Sequence, residues 1–335
     1  MTAIAHPYLL FLGDAPDALS AKTADGVARW RPEWCVGQLR LPDCNADLGL
    51  PDRTLEEAAA LGARTLLIGV ANRGGRIAAA WQDTMLRALD LGFDLAAGLH
   101  QRLADLPAVK ARADERGRAI HDVRHPSRGF DIGTGARRTG KRLLTVGTDC
   151  SVGKMYTALA LEREMRARGL NADFRATGQT GILIAGDGVS VDAVVSDFVA
   201  GAVEWLTPEN DPDHWDVVEG QASVLHPSYA GVTLGLVHGS QPDAMVLCHE
   251  PTRRHMRGLP HRPVPGIEET IAAHVAAARV TNPDARVIGL SINTAGLTAA
   301  EADCVLRDTA DAFGLPTVDP LRTGAGPLVD ALQDL

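Results

Sequence analysis

The chain runs to 335 residues, 45% hydrophobic and 22% charged, a composition able to bury the cores of about two domains. Its net charge of −9 implies no broad basic surface and excludes nucleic acid as a bulk partner. Five cysteines, Cys35, Cys44, Cys150, Cys248 and Cys304, are scattered, odd in number and without a Cys-x-x-Cys pair, which argues against a disulfide framework or a zinc ribbon.

Tyr8–Leu12 reads as a short strand ending at Gly13-Asp14, a turn that lacks the full Gly-x-Gly-x-x-Gly fingerprint and so reads as a plain strand-to-loop turn. Thr65–Val70 is a buried parallel-type strand, followed by a glycine turn at 71–75 and a helix rich in Ala and Leu. Phe93–His100 is strand-like. Such alternation implies a parallel sheet with ligands at the strand C-termini. From Asp114 to Arg142 the chain turns charged and Gly-rich, with a short strand around Ile120–Val123. The basic end of that stretch, Arg137-Arg138-Thr-Gly-Lys141-Arg142, reads as a solvated linker and sets the boundary between an α/β domain over 1–137 and a second over 138–335. Further strands are expected at Asp173–Ala176, Ile182–Ile184, Val217-Val218, Ala244–Leu247 and Val287–Ile292, with helices over Ser190–Trp205 and Ile267–Val280. No basic leader and no apolar run of membrane-spanning length occur, so the expectation is a soluble cytoplasmic protein without a membrane partner.

The second domain opens on a phosphate-binding loop. An apolar strand (Leu143, Leu144, Val146) runs into Gly147, Thr148, Asp149, Cys150, Ser151, Val152, Gly153, Lys154 and Met155, and a helical pattern follows at once. Glycines let the backbone wrap an anion, the helix N-terminus points at it, and Lys154 adds a mobile positive charge. An NTP-hydrolysing enzyme carries Ser or Thr after the Lys to ligate Mg²⁺; Met155 offers a thioether, a poor ligand for a hard cation. Cys150 has no His close in sequence to activate it and reads as a small residue filling the loop.

Four further segments are dense in Gly and polar residues. Ala176–Gly181 brings Gln179 and Thr180 as donors. Gly186–Phe198 holds Asp187, Asp192 and Asp197, one of them a candidate base. Glu219 ends a strand beside the loop, where a carboxylate reaches the phosphate site, and His226 lies beyond it as a candidate proton carrier. His249 and Glu250 end another strand and Arg253-Arg254 follow, a pair suited to a carboxylate or phosphate. The spacing of His238, His249 and Glu250 matches no zinc pattern, so no metal is expected.

These motifs, Gly147-Thr-Asp-Cys-Ser-Val-Gly-Lys-Met, Ala176-Thr-Gly-Gln-Thr-Gly, Val218-Glu-Gly-Gln with His226-Pro, His238-Gly-Ser and Leu247-Cys-His-Glu-Pro, resemble a P-loop family long carried as a domain of unknown function. Its better-understood members are D-glutamate N-acetyltransferases. Gly13-Asp14, Ala21-Lys-Thr-Ala and Trp30-Arg-Pro-Glu-Trp-Cys-Val-Gly-Gln38 extend the likeness over the whole chain. The resemblance implies an α/β protein with a Rossmann-like N-terminal domain and a C-terminal domain of P-loop NTPase fold. It implies acetyl-CoA as donor and D-glutamate as acceptor, with an enolase-superfamily racemase of the N-acetyl product as functional partner. A homo-oligomeric state is a separate expectation. A more distant likeness to dethiobiotin synthetase places Asn293 where that family contacts adenine.

The leading expectation is therefore acetyl transfer from acetyl-CoA to the amine of an acidic amino acid. The loop and Asn293 would hold the coenzyme, Glu219, His226 or Asp192 would accept the proton, and Gln179, Thr180, Arg253 or Arg254 would hold the substrate. The alternative is a Mg-ATP-dependent kinase or ligase acting on a carboxylate; a nucleotide-binding regulatory module is the third class.

Overall fold

Tyr8–Gly13 is buried along its whole length, which demands cover on both faces. In a computed structural model, which describes residues 3–71, 77–126, 128–333 and 335, it is strand β1 of a five-stranded sheet. Its companions are β2 (Cys35–Arg40), β3 (Thr65–Ile68), β4 (Asp94–Ala97) and β5 (Ile120–Asp122), all parallel, in the order β2-β1-β3-β4-β5. Helices α1 (Lys22–Trp30), α2 (Leu55–Ala60), α3 (Gln82–Asp90) and α4 (Pro107–Arg116) make the crossovers. Leu9, Phe11, Leu66, Ile68, Trp81 and Leu95 belong to its core. Gly13 has a left-handed φ of +54°, and a Cβ there would sit 2.8 Å from the Trp81 indole nitrogen. The indole N–H donates to Asp14 at 2.8 Å, so a tryptophan covers the turn after β1. Most of the glycine turn expected at 71–75 (residues 72–75) lies outside the described residues.

The second sheet has six parallel strands in the order β11-β10-β9-β6-β8-β7. They are β6 (Lys141–Gly147), β7 (Ala172–Arg175), β8 (Trp215–Val218), β9 (Ala244–His249), β10 (Arg286–Ile292) and β11 (Thr317–Val318). The remaining helices, in chain order, are α5 (Lys154–Ala167), α6 (Gln179–Ala185), α7 (Val199–Leu206), α8 (Ala230–Ser240), α9 (Ile267–Ala278), α10 (Ala299–Phe313) and α11 (Gly326–Asp330). The chain divides into two compact units, Met1–Arg128 with Gly178–Ala193, and Gly129–Thr177 with Val194–Leu335. Helix α6 thus belongs to the unit of the first sheet. Among the described residues no helix is long and apolar enough to cross a membrane.

Three expectations need correction. Ile182–Ile184 is not a strand but the buried face of α6, because an apolar run of three fits either element and here the preceding Gly178 starts a helix. Ser190–Trp205 is not one helix: single 3₁₀ turns occupy Val191–Ala193 and Ser196–Phe198, and the α-helix begins only at Val199. The basic cluster before β6 is not a solvated linker. Arg142 is buried in β6, where its guanidinium donates to the carbonyls of Arg138, Thr139 and Gln241 and lies 3.8 Å from Asp243. Strands β2 and β11 were not foreseen, and neither were α2 and α10, although each of these helices starts at a Thr-x-x-Glu capping box, at Thr54 and Thr298.

The start of the loop after β8 crosses close over strand β6 at Gly220, whose N–H donates to Thr145 Oγ1 at 3.0 Å. A Cβ there would lie 1.6 Å from the Thr145 carbonyl oxygen, a collision that only backbone movement relieves. Gly220→Ala should lose roughly 3 kcal/mol or more in chemical denaturation. Gly231→Ala is the control: it meets nothing within 4 Å at the start of α8 and should gain roughly 0.5–1 kcal/mol.

Candidate active site at the carboxyl edge of the second sheet

Parallel strands deliver their C-terminal residues to one edge. Following the strand order, that edge carries Asp319 after β11, Asn293 after β10, His249 and Glu250 at β9, the loop after β6, Glu219 after β8 and Thr177 after β7. In the loop, a Cβ on Gly147 would approach Val152 to 2.8 Å and the Lys154 ammonium to 3.1 Å, and Gly153 enters α5 with φ +108°. Lys154 is not the exposed, mobile charge that the sequence suggested. It is 5% exposed as the first residue of α5, and its Nζ donates to the Asp149 carbonyl at 2.7 Å. Burial pushes its pKa below the ordinary lysine value. Met155 follows half-buried, with no hydroxyl at that position, while Thr157 Oγ1 bonds Gly153 O at 3.0 Å and Ser291 Oγ at 2.8 Å beneath the loop.

Asp149 organises the site. Its fully buried carboxylate accepts the Cys150 N–H at 2.7 Å, the Arg253 guanidinium at 2.9 Å and the Arg257 N–H at 2.8 Å. Burial alone would raise this carboxyl, but the Arg257 N–H, the Arg253 side chain and the Cys150 N–H together hold it below the usual carboxylate range. Arg253 also donates to the carbonyls of Cys150 and Ser151 and pairs with Glu250, and the Arg257 guanidinium reaches Ser151 Oγ. The loop is thereby fastened to the segment between β9 and α9. Arg253, expected to hold substrate, is engaged in that fastening.

His226 comes from the loop after β8 and is 1% exposed. Its Nδ1 accepts the Ser228 N–H at 3.1 Å, so the ring proton sits on Nε2, 3.6 Å from Asp149 Oδ1 and with no hydrogen-bond partner among the described residues. The ring stacks on Tyr229 with centroids 4.7 Å apart. Cys150, Asp149 and His226 bring ligand-type atoms within 4.8 Å of one another. The imidazole that the sequence lacked near Cys150 is thus supplied in space. Burial raises the Cys150 thiol, with the Lys154 charge opposing. As a metal set these three fit poorly: the proton on Nε2 stands where a ligand needs a lone pair, and Arg253 already neutralises Asp149. His238, His249 and Glu250 do not form such a set among the described residues; His249 Nδ1 bonds Thr148 Oγ1 at 3.0 Å and Glu250 pairs with Arg253.

The remaining candidates are divided between the units. Glu219 is buried beside the loop, accepting the Thr177 N–H at 3.0 Å and the Gln221 amide at 3.4 Å. Asn293 caps its own turn through Ala295 N at 3.1 Å, and its N–H donates to His249 O at 2.8 Å. The Arg254 side chain is exposed and has no partner among the described residues, while its carbonyl accepts the Val264 N–H at 3.1 Å. Gln179, Thr180 and Asp192 belong to the unit of the first sheet. There Gln179 packs against Gly98, the Thr180 methyl faces Gly26, and Asp192 accepts from Ser190 at 2.7 Å and pairs with Arg124 at 3.2 Å. Asp187, exposed, caps Gly188 N, and Asp197 is exposed.

Residues 131–329 match the DUF1611 C-terminal P-loop domain and residues 40–126 the DUF1611 N-terminal Rossmann-like domain, both described as domains of unknown function. A protein of Tritonibacter scottomollicae named D-glutamate N-acetyltransferase is 59% identical over 98% of this chain and 99% of its own. One of Pseudoalteromonas sp with the same name is 48% identical over 97% and 98%. The crystal structure of a DUF1611 family protein from Anabaena variabilis superposes with a TM-score of 0.85 at 33% identity, covering 99% of this chain and 100% of that one. The chain belongs to the D-glutamate N-acetyltransferase family.

For this family member, the sequence motifs marked the strand ends but missed what joins them. Arg257 and the Cys150–His226 approach carry no contiguous signal; the density of Arg and His after Glu250 was the one available hint. Asp149→Asn removes the buried negative charge facing Arg253 and should cost roughly 3 kcal/mol at neutral pH. The wild-type carboxylate is depressed, so its contribution is present above the ordinary pKa of about 4 and lost as pH falls through its lower native value. The stabilities of the two proteins should therefore converge as pH falls below the depressed native pKa of Asp149; a gap that stays constant with pH would contradict the role given to Asp149.

Proposed function

We propose that the protein transfers the acetyl group of acetyl-CoA to the amine of D-glutamate. The observation that carries this reading is the name shared by two relatives that are 59% and 48% identical over nearly their whole length. The chemistry requires an amine that has lost its proton, a thioester carbonyl held against it, and donors for the tetrahedral oxyanion. The loop from Gly147 to Met155, with its N–H groups, the α5 N-terminus and Lys154, suits an anionic part of the coenzyme, and Met155 disfavours Mg-ATP. Glu219 is the carboxylate at the flank of the loop and takes the ammonium proton. His226, protonated on the nitrogen that faces the loop, serves as a donor to oxygen, as a neutral imidazole does when it polarises a carbonyl. The exposed Arg254, whose guanidinium has no partner among the described residues, takes a substrate carboxylate in place of Arg253. We further infer a cytoplasmic homo-oligomer acting in D-amino-acid catabolism, its product consumed by an enolase-superfamily racemase.

Free-thiol release from acetyl-CoA should depend on D-glutamate in a panel of D- and L-amino acids. Tight binding of Mg-ATP with phosphoryl transfer would overturn the reading in favour of a kinase or ligase. Lys154→Ala should lower kcat/KM for acetyl-CoA by roughly 10–100-fold with the far-ultraviolet spectrum unchanged, the loss of one charge-assisted contact. Turnover should persist in excess EDTA, because the Asp149, Cys150 and His226 set holds a proton and an arginine where a cation would bind. Loss of activity on chelation, restored by a divalent ion, would refute that.

A further inference from the structure

We propose that Cys150 accepts the acetyl group first, so that transfer runs through an acetyl-cysteine thioester held in the loop between β6 and α5. The proposal rests on acetyl-CoA being the donor, as above, and adds a covalent step to it. Two independent observations carry it. Cys150 is half-buried in a loop shaped to receive an anion, at the entry to α5 and beside Lys154 and Arg253. His226, 1% exposed, brings a ring nitrogen within 4.8 Å of the sulfur and carries an Nε2–H without a hydrogen-bond partner among the described residues. A buried donor left unpaired costs about 1–3 kcal/mol and calls for an acceptor. Asp149 Oδ1, 3.6 Å away, already takes the Cys150 N–H. The oxygen of a carbonyl joined to the Cys150 sulfur would lie within its reach.

The step balances without a further reactant. The Cys150 sulfur attacks the thioester carbonyl of acetyl-CoA, forming a new carbon–sulfur bond, and the oxyanion is met by loop N–H groups and the His226 Nε2–H. The bond to the coenzyme sulfur then breaks; that sulfur keeps the electron pair and takes the proton released by the Cys150 thiol. In the second half, the neutral amine attacks the acetyl-cysteine carbonyl, the bond to Cys150 breaks, and the amine proton returns to the Cys150 sulfur.

The test uses the whole chain and acetyl-CoA without an acceptor. The expected result is a burst of one equivalent of free coenzyme thiol. One acetyl mass should appear on the peptide that holds Cys150, removable by hydroxylamine and discharged by D-glutamate. Cys150→Ala should lose the label, and its kcat/KM should fall by roughly a hundredfold or more. Wild-type enzyme that makes N-acetyl-D-glutamate yet shows no acetyl-Cys150 on rapid quenching would overturn the relay, and so would Cys150→Ala turning over at the wild-type rate. Acetyl uptake at Cys150 with no N-acetyl product from any amino acid would support the relay and sink the acceptor reading instead, so the two failures are distinguishable.

Discussion

A carboxylate with no exposure to water is tolerable only when its charge is met on the spot. Asp149 meets that condition inside an anion-binding loop, the place where a negative charge is least expected. Its three partners come from the loop itself and from the segment after β9, so one side chain fixes the loop's shape and brings two arginines to it. Lys154 completes the arrangement from below by donating to the Asp149 carbonyl. The loop is therefore held from both sides by groups that a simple phosphate cradle would leave turned toward its ligand. Among the described residues, the His226 Nε2–H beside Asp149 is left without a partner.

The sheet makes this arrangement possible. Strand β6 lies between β9 and β8, so the loop that leaves it has His249 and Glu250 on one side and Glu219 on the other. The close pass of Gly220 over Thr145 sets how near the β8 crossover, with Glu219 and His226 beyond it, can come to the loop. A side chain at that glycine would act on stability and on the site through the same backbone shift. Structural and chemical requirements coincide there, whereas at Gly231 neither applies.

Contiguous signals were legible in the sequence. The strand, glycine loop and helix from Leu143 onward form an uninterrupted pattern, and Glu219, His249 and Asn293 follow apolar runs whose length and β-branching mark parallel strands. Ile182–Ile184 was misread because three apolar residues carry no period, and Ser190–Trp205 because the polar turns at its start do not interrupt its average hydrophobicity. Arg142 reads as solvent-exposed because charge predicts exposure unless partners exist, and its partners are carbonyls, which no sequence displays. The same reason hid the Cys150–His226 approach and the engagement of Arg253: both depend on the register of β8 and β9 against β6, a tertiary fact.

The central claim is that acetyl-CoA engages the loop and the segment that Asp149 fastens to it. Hydrogen–deuterium exchange of the whole chain, with and without acetyl-CoA, tests it most directly. The account predicts slowed exchange at the amides of residues 147–154 and 250–257, with the five strands of the first sheet unchanged. Protection confined to the first sheet, with the loop exchanging at its free rate, would contradict it.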